Sequence, residues 1–145
     1  MAFRGQHEHS LDSKDRLTVP RKFRAQLDDG YVLAKGPDAC LWLYATQDFE
    51  KMEERYVAPH SPFGTDARKL RRMLNASADD GDLDAAGRIR IPADLKEKAG
   101  IEGECAVVGA GDYVEIWNAE AWAKVNDELM GEFPEVAENL AGGEE

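Results

Sequence analysis

Cations are scarce in this chain. Eighteen lysines and arginines face 29 aspartates and glutamates, for a formal net charge of −11. Taken in bulk, that balance disfavours a nucleic-acid partner. Cysteine is scarcer still. Cys40 and Cys105 stand far apart and outside any metal-type spacing, which excludes a disulfide framework and points to buried, reduced thiols. No apolar run approaches membrane-spanning length, and Met1–His7 hold no apolar signal segment, so a cytoplasmic protein without membrane contact is expected. The three histidines, His7, His9 and His60, lack ligand spacing. No nucleophile stands beside a base, and there is no glycine-rich phosphate loop. The expectation is no catalysis, no metal, no cofactor and no small-molecule substrate.

What the chain does have is an internal repeat. Leu11-Asp12-Ser13-Lys14-Asp15-Arg16-Leu17-Thr18-Val19-Pro20 returns 72 positions later as Leu83-Asp84-Ala85-Ala86-Gly87-Arg88-Ile89-Arg90-Ile91-Pro92. One small unit occurs twice, and each copy carries an Asp-x-x-x-Arg turn. Units that must pair to close a core, and that present a charged turn in duplicate, suit a symmetric binding module. The charge is also unevenly placed. Residues 1–27 hold six cations against three acids, a net of +3, whereas residues 112–145 hold ten acids against Lys124 alone, a net of −9. The field at a basic front matters more to a partner than the sum.

Each copy has the same order of signals. A strand, a turn and a second strand come first: Leu17 and Val19 alternate with Arg16 and Thr18, as Ile89 and Ile91 do with Arg88 and Arg90. Proline then predicts a short helix, over 20–27 and again over 92–99, with Gly100 placed as a C-cap. Two strands follow in each half, near 31–34 and 41–44, then 105–108 and 113–117. A closing helix carries Phe49, Met52 and Tyr56 in the first copy, and Trp122, Val125 and Leu129 in the second, each stripe expected to pack on the core. These signals divide the chain into a first repeat (3–57), a linker with a basic helix (58–75), a second repeat (76–131) and an acidic, frayed tail (132–145). The fold class is mainly β with flanking helices.

An Asp that opens a tight turn accepts hydrogen bonds from backbone N–H groups just ahead of it. Its carboxylate also reaches an Arg four positions on. A guanidinium held this way keeps free donors in its planar fork, which suits a phosphate or a guanine edge. Two readings stand side by side: Asp12–Arg16 and Asp84–Arg88 either brace a hairpin or aim a cation at a polyanion. On the second reading the contacting residues are Arg16, Lys14 at the loop tip, Arg21, Lys22 and Arg24 on the following turn, and Arg88, with Asp12 and Asp84 bracing. Asp79-Asp80-Gly81-Asp82 precedes the second turn and would repel an anion, so the first turn is the expected contact.

These residues, together with Phe3-Arg4-Gly5, Phe23-Arg24, Leu43-Tyr44 and Glu115-Ile116-Trp117, resemble the MraZ family from about Phe3 to Trp122. The resemblance implies two AbrB-like swapped-hairpin repeats that form a pseudo-twofold β-barrel of the double-psi or swapped-hairpin kind. It implies a regulator of transcription that binds direct repeats in double-stranded promoter DNA of the bacterial division and cell-wall gene cluster, its own gene included. It further implies a ring-shaped homo-oligomer on the nucleoid. This chain departs from the pattern at position 15, where Asp stands in place of the family's usual Gly. Aspartate tolerates the left-handed backbone, but its charge beside Arg16 weakens the attraction for phosphate. The competing expectation is an antitoxin-like protein-interaction module.

Overall fold

Leu17 and Ile89 face each other across a two-stranded antiparallel ribbon. That pair marks the axis that relates the two copies of the repeat, because Arg16 pairs with Arg90 on one side of it and Thr18 with Arg88 on the other. The structure, a computed structural model, describes residues 2–143. In chain order its elements are β1 (Gln6–Ser10), β2 (Arg16–Thr18), α1 (Arg21–Arg24) with a 3-10 turn over Ala25–Leu27, β3 (Tyr31–Lys35), β4 (Cys40–Ala45), α2 (Thr46–Tyr56) and α3 (Thr65–Asn75). There follow β5 (Asp79–Gly81), β6 (Arg88–Arg90), α4 (Ala93–Lys98), β7 (Glu104–Gly109), β8 (Val114–Asn118) and α5 (Ala119–Ala141).

The copies exchange their first strands. β1 of the first half pairs with β7 of the second, and β5 of the second half pairs with β3 of the first. β4 and β8 join the halves at the centre, which gives a six-stranded order β1-β7-β8-β4-β3-β5, with β2 and β6 as a separate ribbon. The fold is therefore mainly β with flanking helices. Its ladder is an open sheet plus a ribbon, and packing joins the two. Leu17, Val19, Ile89 and Ile91 share one buried core with Leu33, Leu43, Val107, Val114 and Ile116. Each such side chain contributes about 1.5–3 kcal/mol when buried.

The short helices repeat with their anchors. Phe23 on α1 and Leu95 on α4 are both buried, 72 positions apart. Pro20 and Pro92 stand one residue earlier than expected, at the cap and outside the helix. Gly100 closes α4 at φ +64°, its N–H donating to the Glu97 carbonyl.

The closing helices depart from expectation. Phe49 is buried and Met52 half-buried, but Tyr56 is exposed; Trp122 and Val125 are half-buried, but Leu129 is exposed. Only the first turns of each stripe meet the sheet. The tail expected to fray is helical, since α5 runs unbroken from Asn118, whose Oδ1 accepts from Ala121 N at 3.1 Å, to Gly142. Ala, Leu, Met and Glu favour the helix and carry it through Gly131 and Pro134 to the Gly142-Gly143 pair. Pro134 removes a single donor from an exposed stretch, so it does not end the helix. Glu144 and Glu145, the last residues of the expected tail, lie outside the described residues.

Candidate nucleic-acid interface

The two Asp-x-x-x-Arg turns have the same construction. Asp12 Oδ1 accepts from Lys14 N and Arg16 N, both at 2.9 Å, and Oδ2 accepts from Arg16 Nε at 2.7 Å. Asp84 Oδ1 accepts from Ala86 N at 3.0 Å and Arg88 N at 2.8 Å, and Oδ2 from Arg88 Nε at 2.8 Å. These bonds favour the ionised carboxylate. Backbone donation from Arg16 foremost holds Asp12 down to about 2, and donation from Arg88 likewise lowers Asp84. Each arginine is fixed through Nε, which leaves its Nη groups as donors. The Arg16 and Arg88 side chains are 32% and 30% exposed.

Exchange of the hairpins brings the turns together. Val19 N donates to the Gly87 carbonyl and Ile91 N to the Asp15 carbonyl, both at 2.9 Å, so each turn is sewn to the strand of the other copy. Arg88 Nη1 lies 3.7 Å from Asp12 Oδ2, which links the two ion pairs. Strand alternation places Arg16, Thr18, Arg88 and Arg90 on the polar face of the β2–β6 ribbon, opposite buried Leu17 and Ile89. Three guanidinium groups thus share one two-stranded surface.

Asp15 takes φ +59°, the one non-glycine residue with positive φ among those described, and its counterpart Gly87 takes φ +76°. The turn survives the substitution as expected. Its added charge is also compensated, which the sequence reading did not foresee: Lys96 Nζ donates to Asp15 Oδ1 at 2.7 Å. The related position in the other copy is Arg24, whose Nε donates to the Val19 carbonyl at 2.9 Å. Its guanidinium lies against Gly87 so closely that a Cβ there would fall 2.4 Å from Nε.

Among the sequence-derived candidates, the structure brings Arg16 and Arg88 together and leaves Lys14, Arg21 and Lys22 exposed around them. Arg24 is half-buried and engaged in bracing as described. Arg90 was not among the candidates. Its alternation with Ile89 and Ile91 was visible in the sequence, but its register opposite Arg16 depends on pairing between the copies. His7 packs edge-on against Phe23 at 5.5 Å, and burial foremost lowers its pKa. Among the described residues no group of three or more His, Cys, Asp or Glu is placed to hold a metal ion. No helix among them is long and apolar enough to cross a membrane.

Exchanged hairpins and paired, carboxylate-tethered arginine turns define a class: duplicated swapped-hairpin proteins with a cationic ribbon. A family model described as "MraZ protein, putative antitoxin-like" matches residues 2–73 and again residues 74–142. The chain belongs to the MraZ family. It is 38% identical over 139 residues to a transcriptional regulator MraZ of Heliobacterium modesticaldum, covering 95% of this chain and 96% of the relative. Regulators of the same name from Limosilactobacillus fermentum (35% identity, 97% of each chain) and Syntrophomonas wolfei (37% identity, 95% of this chain and 96% of the relative) are similar to it over nearly their whole length. These relatives are named as regulators and not as enzymes.

Proposed function

We propose that the chain regulates transcription by binding double-stranded DNA through the β2–β6 ribbon and its two turns. The observation that carries this reading is the pair of Asp-tethered arginines side by side on one polar face. Tethering removes entropy from the guanidinium before contact, and a two-stranded ribbon fits the width of a major groove. Arg16 and Lys14 on the first turn make the primary contact. Arg21 and Lys22 extend it along the phosphate backbone, Arg24 adds its Nη donors, and Arg88 supports from the second turn.

The bulk charge of −11 demands that affinity come from a local field and from repetition. Several such faces on a ring of identical subunits, each engaging one promoter direct repeat, gain by effective concentration. The likeness to regulators over the full chain supports this reading, with the division and cell-wall promoter that includes the chain's own gene as the target. The protein then works in the cytoplasm, associated with the nucleoid. The test is a gel shift on DNA upstream of this gene. Cooperative retardation that collapses as salt rises is expected. Retardation equal to that of unrelated DNA of the same length removes the sequence-specific reading.

A further inference from the structure

The three arginines on the polar face of the β2–β6 ribbon are not equally provided for. Arg16 is tied to Asp12 through Nε; Arg88 is tied to Asp84 through Nε and reaches toward Asp12 through Nη1. Arg90 is exposed and makes no ion pair among the described residues. It also stands directly opposite Arg16 in the antiparallel register. Ladder hydrogen bonds fall on the adjoining opposed residues, from Ile91 N to the Asp15 carbonyl and from Val19 N to the Gly87 carbonyl two pairs further on. Bonded and unbonded pairs alternate along such a ladder, so Arg16 and Arg90 form an unbonded pair. Their Cα atoms then approach to about 4.5 Å and their side chains leave one face at the closest spacing a sheet offers. Like charges directly opposite each other destabilise a strand pair. The internal axis shows that the duplicated fold does not require this arrangement. The pair related to Arg16–Arg90 is Arg88–Thr18, in which Thr18 occupies the place of Arg90.

We propose that Arg90 is a further DNA contact of this chain and that it closes with Arg16 on a single backbone phosphate. This deepens the DNA-binding reading above and rests on it. A phosphate carries several acceptor oxygens and takes donors from two guanidinium forks at once, whereas a guanine edge is filled by one fork. The two arginines contribute differently. Arg16 is held by Asp12 and offers a fixed set of Nη donors. Arg90 has no carboxylate to hold it back, so its charge enters the contact undiminished. The repulsion that the opposed pair carries in the free protein is relieved when an anion lies between the two. The clamp stands at one end of the ribbon only, because Thr18 brings a hydroxyl and no charge to the other end. Arg90 therefore breaks the twofold likeness of the two halves on the face that meets DNA.

The test uses the full chain as wild type, Arg90→Thr and Arg90→Lys. Each is titrated over a range of salt against the DNA upstream of this gene and against unrelated duplex of the same length, and the unfolding midpoint of each free protein is measured at low salt. Arg90→Thr copies the residue found at the related position. It is expected to weaken binding to both duplexes by the same factor and to reduce the slope of log affinity against log salt by about 1. Its unfolding midpoint is expected to hold or rise, since the opposed charges are gone. Arg90→Lys keeps the charge without the fork, so it is expected to keep the wild-type slope and to bind with intermediate affinity. Wild-type affinity and slope in Arg90→Thr overturn the contact and leave DNA binding by the ribbon standing. Weakening confined to the upstream DNA, with the slope unchanged, overturns the phosphate assignment in favour of a base edge. Weaker binding together with a lowered unfolding midpoint overturns the contact in favour of a structural role. A wild type that retains neither duplex removes the DNA-binding reading itself, and the clamp with it.

Discussion

Asp15 and Gly87 occupy related positions and solve one backbone problem in two ways. Glycine reaches positive φ without steric cost and makes room for Arg24; aspartate tolerates the same region and holds Lys96. Gly87→Ala meets both a left-handed backbone and the Arg24 side chain. It is expected to lower stability by about 1–3 kcal/mol, read as a fall in the midpoint of thermal or urea unfolding. Asp15→Gly behaves differently. It removes a partly exposed ion pair worth about 0–1 kcal/mol and relieves the backbone, so stability is expected to be nearly unchanged. DNA affinity should rise at low salt, because one negative charge beside Arg16 is gone and Lys96 is released. Unchanged affinity at every salt concentration contradicts that placement of the site. Acid provides another check. A carboxylate whose folded pKa lies below its ordinary 3.8 stabilises above that value, and its contribution is lost as pH falls through the folded pKa, here about 2 for Asp12. The Arg16 Nε–H resonance should therefore be constant from neutrality to about pH 4 and disappear only near pH 2. Its loss at pH 5 contradicts the tether.

The ribbon is the element that turns a repeated sequence into a single site. Leu17→Ala or Ile89→Ala empties the axis of the β2–β6 pair, where both residues are 1% exposed. Each is expected to cost about 2–5 kcal/mol in a denaturant titration and to weaken DNA binding with it. A cost near zero contradicts the ribbon's place in the core. Much at this scale was legible in the sequence. The doubled Asp-x-x-x-Arg, the alternation around it and the prolines placed both turns, both ribbon strands and both short helices. Strand exchange was implied by family resemblance alone, because the pairing of β1 with β7 spans about a hundred residues and leaves no local trace. A pairing 74 residues apart hid Arg90 in the same way, since it becomes part of the polar face only when β6 lies opposite β2. The helical end of α5 had a local signal in its i, i+4, i+7 apolar spacing. Its acidity outweighed that signal in the sequence, and its one proline, Pro134, is exposed and costs the helix a single hydrogen bond. The salt bridge from Lys96 to Asp15 had no signal at all, since 81 residues separate its ends.

At the scale of the whole molecule the chain is an electrical dipole. Along the sequence its cations are concentrated in the first 27 residues and its acids in the last 34, most of them on α5. That uneven placement lets a chain with net charge −11 approach a polyanion with one locally cationic face. Binding should weaken steeply with salt, and removal of one phosphate-contacting cation should reduce the slope of log affinity against log salt by about 1 per contact. The most direct measurement is a salt-resolved binding titration on the DNA upstream of this gene, with wild type, Arg16→Ala and Arg88→Ala compared side by side. Arg16→Ala is expected to abolish specific binding. Arg88→Ala should weaken it less, because only the first turn carries Lys14. Wild-type affinity and salt slope in both variants would contradict the account.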